Sequence, residues 1–246
     1  MPVTIDLGPE QIRRRLSLYS PDRKSDRPAA HLEHFRGVLQ VDGYAGFERL
    51  TVGGDIYLAA CWAHARRKFF EVSEATGSPI ATEALRRIAE LYAIEEAING
   101  HSADQRLIAR AIHARPLVGA MKPWLERELG RVPERSTLAE AIRYALGRWD
   151  ELSLFLTDGR IELDNNTVER AIRPVALGRK NHLFAGSDAG AERWACVVSL
   201  IATAKLNSVE PFAYLKDVLE RMVAGHPINR LDDLLPWNWA KNPVKL

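Results

Sequence analysis

Two acidic residues stand where a folded chain could present carboxylates to a divalent cation. Asp42 directly follows the apolar run Val38–Val41 and precedes Gly43, so it is predicted at the carboxyl end of a strand, where α/β sheets bind ligands. Glu169 follows the polar cluster that starts at Asp164 by one helical turn, which directs it toward the same edge. Two carboxylates on separate elements, each beside arginines, are what two-metal phosphoryl transfer requires. The alternatives are an Asp–Gly turn and a glutamate favoured by a helix dipole.

The chain has two cysteines, one of which is a candidate site residue. Cys61 and His64, three positions apart, could bind zinc, although they supply only two of the four ligands of a structural site. The alternative is a buried cysteine beside a hydrogen-bonded histidine. Cys196 has apolar neighbours and is predicted to lie in the core. The sequence contains no Gly-rich phosphate loop, no nucleophile elbow and no metalloprotease helix motif.

Basic residues cluster along the chain although the formal net charge is only +2. Such clusters could follow a phosphate backbone, because contacts with phosphates release bound counterions. The alternative is that they form solvated helix faces. Two clusters are candidate phosphate contacts: Arg66, Arg67 and Lys68, and the acid-poor group Arg170, Arg173, Arg179 and Lys180.

The composition is that of an ordinary globular protein. The 246 residues are 46% hydrophobic and 27% charged, which argues against a disordered chain. No apolar run reaches the ~20 residues of a membrane helix, and the first residues do not have the pattern of a signal peptide. With two cysteines only, a disulfide framework is excluded, and we expect a cytoplasmic protein that does not enter a membrane.

The hydrophobic pattern predicts an α/β chain interrupted by helices. Strands are expected at 38–41 and 56–60, the second leading into a helix over 62–72, whereas 73–156 has apolar residues at helical spacing with prolines as breaks. The tail, 231–239, is expected to be an extended segment packed on the core. These changes in hydrophobic pattern along the chain predict four parts: an N-terminal part of the core (1–72), a helical insertion (73–156), a C-terminal part of the core (157–206) and a helical C-terminal segment with the tail (207–246).

Several longer motifs together resemble one family of proteins. They extend in order over about residues 17–240 and include YSPDRK (19–24), LQVDGYAG (39–46), CWAHARRKF (61–69), DNNTVERAIRP (164–174), LGRKN (177–181), TAKLN (203–207) and LLPW (234–237). In this combination the chain resembles the transposases of the insertion sequence 66 family.

The resemblance implies an RNase H-like fold with an Asp-Asp-Glu triad that binds two Mg²⁺ ions, for which Mn²⁺ can substitute. By that resemblance Asp42 is the second aspartate and Glu169 the closing glutamate, with the helical insertion between them. Cys61 and His64 match a Cys-x-x-His motif that supports such sites. Asn165 and Asn166 would shape the helix start beside the site, and the basic residues named above would contact DNA phosphates.

One departure from the family concerns the first catalytic aspartate. The family places it on a strand some tens of residues before the Ser-Pro-Asp-Arg segment, and only about twenty residues precede Ser20 here. We therefore expect an N-terminally truncated copy that lacks the first strands, with Asp6 as a substitute of lower weight. Loss of a bridging carboxylate is expected to impair metal binding and catalysis.

Three functions are consistent with this reading. The leading one is the catalytic core of a DNA transposase, which cuts transposon ends and joins the 3′-hydroxyl to target DNA. Its expected partners are the terminal repeats, target DNA, a second copy on paired ends and accessory proteins of the same element. The second is a DNA-binding transposase remnant without catalysis, and the third is a structure-selective nuclease.

Overall fold

The structure, a computed structural model, describes residues 2–5, 14–20, 26–41, 45–165 and 186–239. The chain divides into two compact units, one formed by residues 24–166 and the other by residues 1–23 together with 167–246. The four-part division predicted from the sequence is not tested by these two units and stays a prediction.

The unit of residues 24–166 combines two strands with a series of helices. A two-stranded parallel sheet pairs β3 (Gly37–Val41) with β4 (Ile56–Ala60). In this register Val38 lies opposite Tyr57, and Val41 lies opposite Ala60. The elements in chain order are α1 (Asp26–His31), β3 (Gly37–Val41), a 3-10 helix (Ala45–Thr51), β4 (Ile56–Ala60), α2 (Trp62–Thr76), α3 (Pro79–Ala97), α4 (Ala103–Ala109), a π-helical turn (Arg110–Ala114), α5 (Arg115–Leu129), α6 (Thr137–Gly147), α7 (Trp149–Ser153) and a 3-10 turn (Leu154–Leu156). The expected strands and the expected helical stretch are therefore both present.

Local sequence signals set the helix ends in this unit. Gly77 ends α2 in the left-handed conformation, where a side chain would be strained. Ser78, Ser102 and Ser136 precede the next helices, and each side chain accepts a hydrogen bond from a backbone N–H of the first turn. These caps satisfy N–H groups that have no partner within the helix.

Two prolines expected to break the helical pattern do not do so. Helical backbone continues from Ala103 to Leu129, with a π-helical turn directly before Pro116 and with Pro123 inside α5. Pro116 lies in the first turn of α5, directly after the π-helical turn, where a missing N–H is tolerated. The proline ring of Pro123 comes close to the carbonyl four residues earlier, which belongs to Gly119, and a glycine backbone adjusts most easily to it. The expected break at Pro133 does fall between α5 and α6.

One continuous core joins the end of the sheet to the helices. Ala59 and Ala60 of β4 belong to the same buried cluster as Trp62, Phe69 and residues of every helix from α2 to α7 except α4. The indole of Trp62 packs edge-on against Trp149, with ring centroids 5.9 Å apart. It also donates a hydrogen bond to the carbonyl of Leu152 at 2.8 Å. The helices after α2 are therefore packed against the carboxyl end of β4.

A buried ion-pair network fixes the segment that leaves the helices. The guanidinium of Arg110 is fully buried and bonds both carboxylate oxygens of Glu95 at 2.7 Å. It also donates to the carbonyls of Phe155 and Asp158. Arg106 joins Glu95 to Glu162, so the carboxylate of Glu95 is shared by two arginines. The network holds residues 155–162 against α3 and α4.

The second unit pairs a hairpin with the C-terminal helices. The strands β1 (Pro2–Ile5) and β2 (Arg14–Ser17) are antiparallel. The helical elements are α8 (Asp188–Leu206), α9 (Pro211–Val223), a 3-10 helix (Ile228–Leu234) and α10 (Pro236–Trp239). The backbone N–H of Ser17 donates to the hydroxyl of Ser199 at 2.8 Å, which attaches β2 to α8.

Two expectations for this unit are wrong. The tail is helical rather than extended, because Pro236 opens a helical turn. It does pack, since the indole of Trp239 donates to Asp217 at 2.6 Å. Cys196 is exposed rather than in the core. The buried face of α8 consists of small residues such as Ala191 and Ala204, so apolar neighbours in sequence did not identify the packed face.

The described residues are mostly helical with a small parallel sheet, which agrees with the α/β class. The RNase H-like arrangement stays a prediction, because two parallel strands do not distinguish it from other α/β folds.

Candidate functional site

The carboxyl ends of the two parallel strands form one edge of the sheet. Strand β3 ends at Val41 and β4 at Ala60, and the residues that follow them in the sequence are Asp42 and Cys61. The structure describes Cys61, and Asp42 lies outside the described residues. Cys61 is 2% exposed, and burial raises the pKa of its thiol. A buried thiol with a raised pKa is less suited to binding a metal as thiolate.

The segment after the helices returns to this same edge. The backbone N–H of Trp62 donates to the carbonyl of Leu163 at 3.2 Å. The backbone N–H of Asn165 donates to Sγ of Cys61 at 3.4 Å. From β3, the amide of Gln40 donates to the carbonyls of Glu162 and Asp164 at 2.7 and 2.9 Å. The first two residues of the Asp-Asn-Asn motif therefore lie beside the strand that Asp42 follows.

Asp164 is also held from the helical side. The hydroxyl of Tyr92, on α3, donates to Oδ2 of Asp164 at 3.0 Å. Burial and the neighbouring carboxylate both raise the pKa of Tyr92, so the phenol stays protonated and remains a donor. Asn165 is buried, and within the described part of the chain its Oδ1 has no hydrogen-bond partner. Strand β3, the start of α2 and helix α3 thus hold residues 162–165, which precede Glu169 in the sequence.

Three consecutive basic residues lie exposed on α2. Arg66 lies 5.9 Å from the ring of Phe70, and Lys68 lies 4.7 Å from the ring of Tyr144. In the portion of the chain that is described, Arg66, Arg67 and Lys68 form no ion pair with a carboxylate. A cleft of about 430 Å³ opens beside them, lined by Ala63, Arg66, Arg67, Phe70 and Tyr92.

His64 lies on the first turn of α2, half-buried, and its backbone N–H donates to the carbonyl of Cys61 at 3.2 Å. Among the described residues no group of three or more His, Cys, Asp or Glu side chains is placed to hold a metal ion. The supporting role predicted for Cys61 and His64 stays a prediction.

Several predicted site residues fall outside the described residues, and nothing in the structure tests them. They are Asp6, Asp42, Asn166, Glu169, Arg170, Arg173, Arg179 and Lys180.

Sequence reasoning missed three residues that the structure places around the site. Gln40 is a single polar residue within a short apolar strand, and Tyr92 belongs to an apolar helical pattern, which predicts a core position. Phe70 directly follows a buried aromatic residue. The only available signal was the polar Gln40 next to Val41 and Asp42 at a strand end.

Comparison with known proteins adds an independent observation to this geometry. Residues 10–193 match the family described as "Transposase IS66 family", and residues 199–237 match the "IS66 C-terminal element". The chain belongs to the IS66 transposase family. The resemblance expected from the motifs is thereby confirmed.

Curated relatives of this IS66 family chain are longer than it is. It is similar to "Uncharacterized protein y4hP" of Sinorhizobium fredii, with 45% identity over 238 residues that cover 90% of this chain and 43% of that protein. For "Uncharacterized protein y4jD" of the same organism the identity is 44% over 234 residues, covering 92% and 46%. The chain thus spans less than half the length of these relatives.

No solved structure matches the chain. In the described ranges, no helix has both the length and the apolar character needed to cross a bilayer.

Proposed function

We propose that this chain carries the catalytic core of an insertion-sequence transposase with an RNase H-like arrangement. It would cut DNA at the ends of the element and join the freed 3′-hydroxyl to target DNA. The observation that carries the proposal is the return of Asp164 and Asn165 to the edge of the parallel sheet that Asp42 follows, in a chain of the IS66 family. DNA, a second copy on paired ends and accessory proteins of the element are the partners proposed with it.

Asp42 and Glu169 are the residues that would hold Mg²⁺, or Mn²⁺ in its place. Carboxylate oxygens are the donors that Mg²⁺ prefers, and a strand end supplies a fixed position for Asp42. When bound, the ions would activate the attacking oxygen and stabilise the leaving one.

The chain's own residues would then position and bind. Gln40 and Cys61 hold the backbone of residues 162–165 and Tyr92 holds the carboxylate of Asp164, and Asn165 and Asn166 would shape the start of the following segment. The exposed side chains of Arg66, Arg67 and Lys68 add positive charge next to this edge. With Arg170, Arg173, Arg179 and Lys180 they are the proposed contacts with DNA phosphates.

The test is Mn²⁺-supported nicking of a duplex that carries the element's own end. Wild type is compared with Asp42→Asn, Glu169→Gln and Asp6→Asn. Asp150→Asn, an exposed aspartate on α7, is the control for loss of one acidic charge. We expect Asp42→Asn and Glu169→Gln to abolish nicking while DNA binding is kept, and Asp150→Asn to nick like wild type.

Equal nicking by the Glu169→Gln variant would overturn the assignment of that residue. A wild-type chain that binds DNA in a salt-sensitive manner but never nicks it would instead establish the DNA-binding remnant. Loss of nicking in Asp6→Asn as well would identify Asp6 as the third carboxylate. Cleavage of branched junctions but not of element ends would favour the nuclease.

A further inference from the structure

The cleft between α2 and α3 is lined by both arginine and aromatic side chains. Arg66 and Arg67 present guanidinium groups, and Phe70 and Tyr92 present aromatic rings. We propose that this cleft binds one unpaired nucleotide at the DNA end, with its phosphate on the arginines and its base against the rings. This inference rests on the proposed function and adds the form of DNA that the chain recognises.

The arginines of the cleft differ from two arginines elsewhere on α3. On α3, Arg86 and Arg87 are both committed to Glu83, and Arg86 also pairs with Glu90. Arg66 and Arg67 form no such pair in the described part of the chain, so their charge is available to a ligand. Guanidinium groups bind phosphate oxygens through two parallel hydrogen bonds.

The aromatic residues explain why the ligand is more than a phosphate. Phe70 is 43% exposed, so its ring is accessible to a ligand in the cleft. The ring of Tyr92 is fixed because its hydroxyl is bonded to Asp164. Exposed rings next to guanidinium groups bind nucleic-acid bases by stacking, whatever the base.

The shape of the cleft favours an unpaired nucleotide over an intact duplex. Its volume of about 430 Å³ lies in the range of roughly 300–1,000 Å³ that is typical of small-ligand sites. A base inside a duplex has both faces covered by its neighbours, and a terminal pair exposes one face that both strands share, so a nucleotide outside the stack is the form that a cleft of this size can hold against Phe70. Tyr92 lines the cleft and contacts Asp164, which places such a nucleotide beside the edge where Asp42 follows β3.

The experiment measures binding of fluorescein-labelled DNA by anisotropy in EDTA, without metal and without turnover. One duplex has a blunt end, and the other has the same sequence with a three-nucleotide single-stranded overhang containing 2-aminopurine. Phe70→Ala and Arg67→Ala are compared with two controls outside the cleft, Phe212→Ala for an exposed phenylalanine and Arg135→Ala for an exposed arginine. Phe70→Trp tests whether an aromatic ring is sufficient.

We expect wild type to bind the overhang at least about fivefold more tightly than the blunt end, the lower limit for stacking of one base. Phe70→Ala should remove this preference and the quenching of 2-aminopurine, and Phe70→Trp should restore both. Arg67→Ala should lower the salt dependence of overhang binding by about one phosphate contact. Neither control should change the preference.

Two results would overturn the inference while the proposed function stands. One is equal wild-type affinity for blunt and overhang DNA, which would reduce the cleft to a duplex phosphate contact. The other is a preference that survives in Phe70→Ala. Absence of any DNA binding by the wild-type chain would overturn the proposed function together with this inference.

Discussion

Replacing Arg110 with methionine should destabilise the chain far more than the same change at Arg86. Both arginines pair with glutamates, but Arg110 is fully buried whereas 55% of the Arg86 side chain is exposed. Arg110→Met keeps the length and apolar stem of the side chain. It removes the charge facing Glu95 and the donor to the carbonyls of Phe155 and Asp158.

The structure sets the size of the effect. Breaking a buried ion pair costs about 3–5 kcal/mol when the remaining charge loses its partner. Glu95 keeps Arg106 at 3.2 Å, so we expect the lower limit, about 3 kcal/mol. For a chain of this size that corresponds to a fall of roughly 6–12 °C in the midpoint of thermal unfolding. At Arg86 the solvent screens the charges, and we expect little change.

The assay is thermal unfolding followed by circular dichroism at 222 nm, with urea unfolding to obtain the free energy. Arg110→Lys serves as an intermediate, because it keeps the charge but loses the planar geometry that bonds both oxygens of Glu95. Midpoints for Arg110→Met and Arg86→Met that agree within error would refute the claim that burial decides the strength of these pairs.

Two further outcomes are expected. A Cβ on Gly159 would lie 1.8 Å from the carbonyl oxygen of Ala103, so Gly159→Ala should lower the free energy of unfolding by about 1–3 kcal/mol. The control is Gly147→Ala, which has open space at the Cβ and should melt at or above the wild-type temperature. Arg86 and Arg87 lower the pKa of Glu83 from 4.5 to about 2; because the folded pKa is below the unfolded one, this stabilisation is present above pH 4.5 and is lost as the pH falls toward 2. Because solvent screens this exposed cluster, the loss should be small: melting curves over that range should fall only slightly more steeply for wild type than for Glu83→Gln, and a shallower fall for wild type would contradict the assigned pairing.

The elements of the sheet and the helices could be predicted because their signals are local. Val38–Val41 and Ile56–Ala60 are short apolar runs bounded by polar residues or glycine, and the helices have regular apolar spacing. Pro123 misled the prediction because tolerance of a proline depends on the residue one turn earlier. Cys196 misled it because composition does not identify which face of a helix is packed.

The contacts around the site could not be predicted in the same way. Tyr92 and Asp164 are 72 positions apart, and Gln40 and Asp164 are 124 apart, so no spacing rule connects them. Residue type and position singled out Asp42 and Glu169 as candidate metal ligands and the family resemblance gave them places in a triad, and that assignment stays a prediction. Geometry added Tyr92 and Phe70, for which the resemblance gave no role.

The hydrogen bond between Asn165 and Cys61 closes a loop of 104 positions, and this has a consequence for the order of folding. A growing chain that has released strand β4 from the ribosome still lacks the segment that completes the sheet edge. That segment emerges only after about a hundred more residues, which take roughly 5–20 s at typical synthesis rates. We therefore expect α2 to α7 to become helical during translation, and the site to be the last part of this unit to acquire its native contacts.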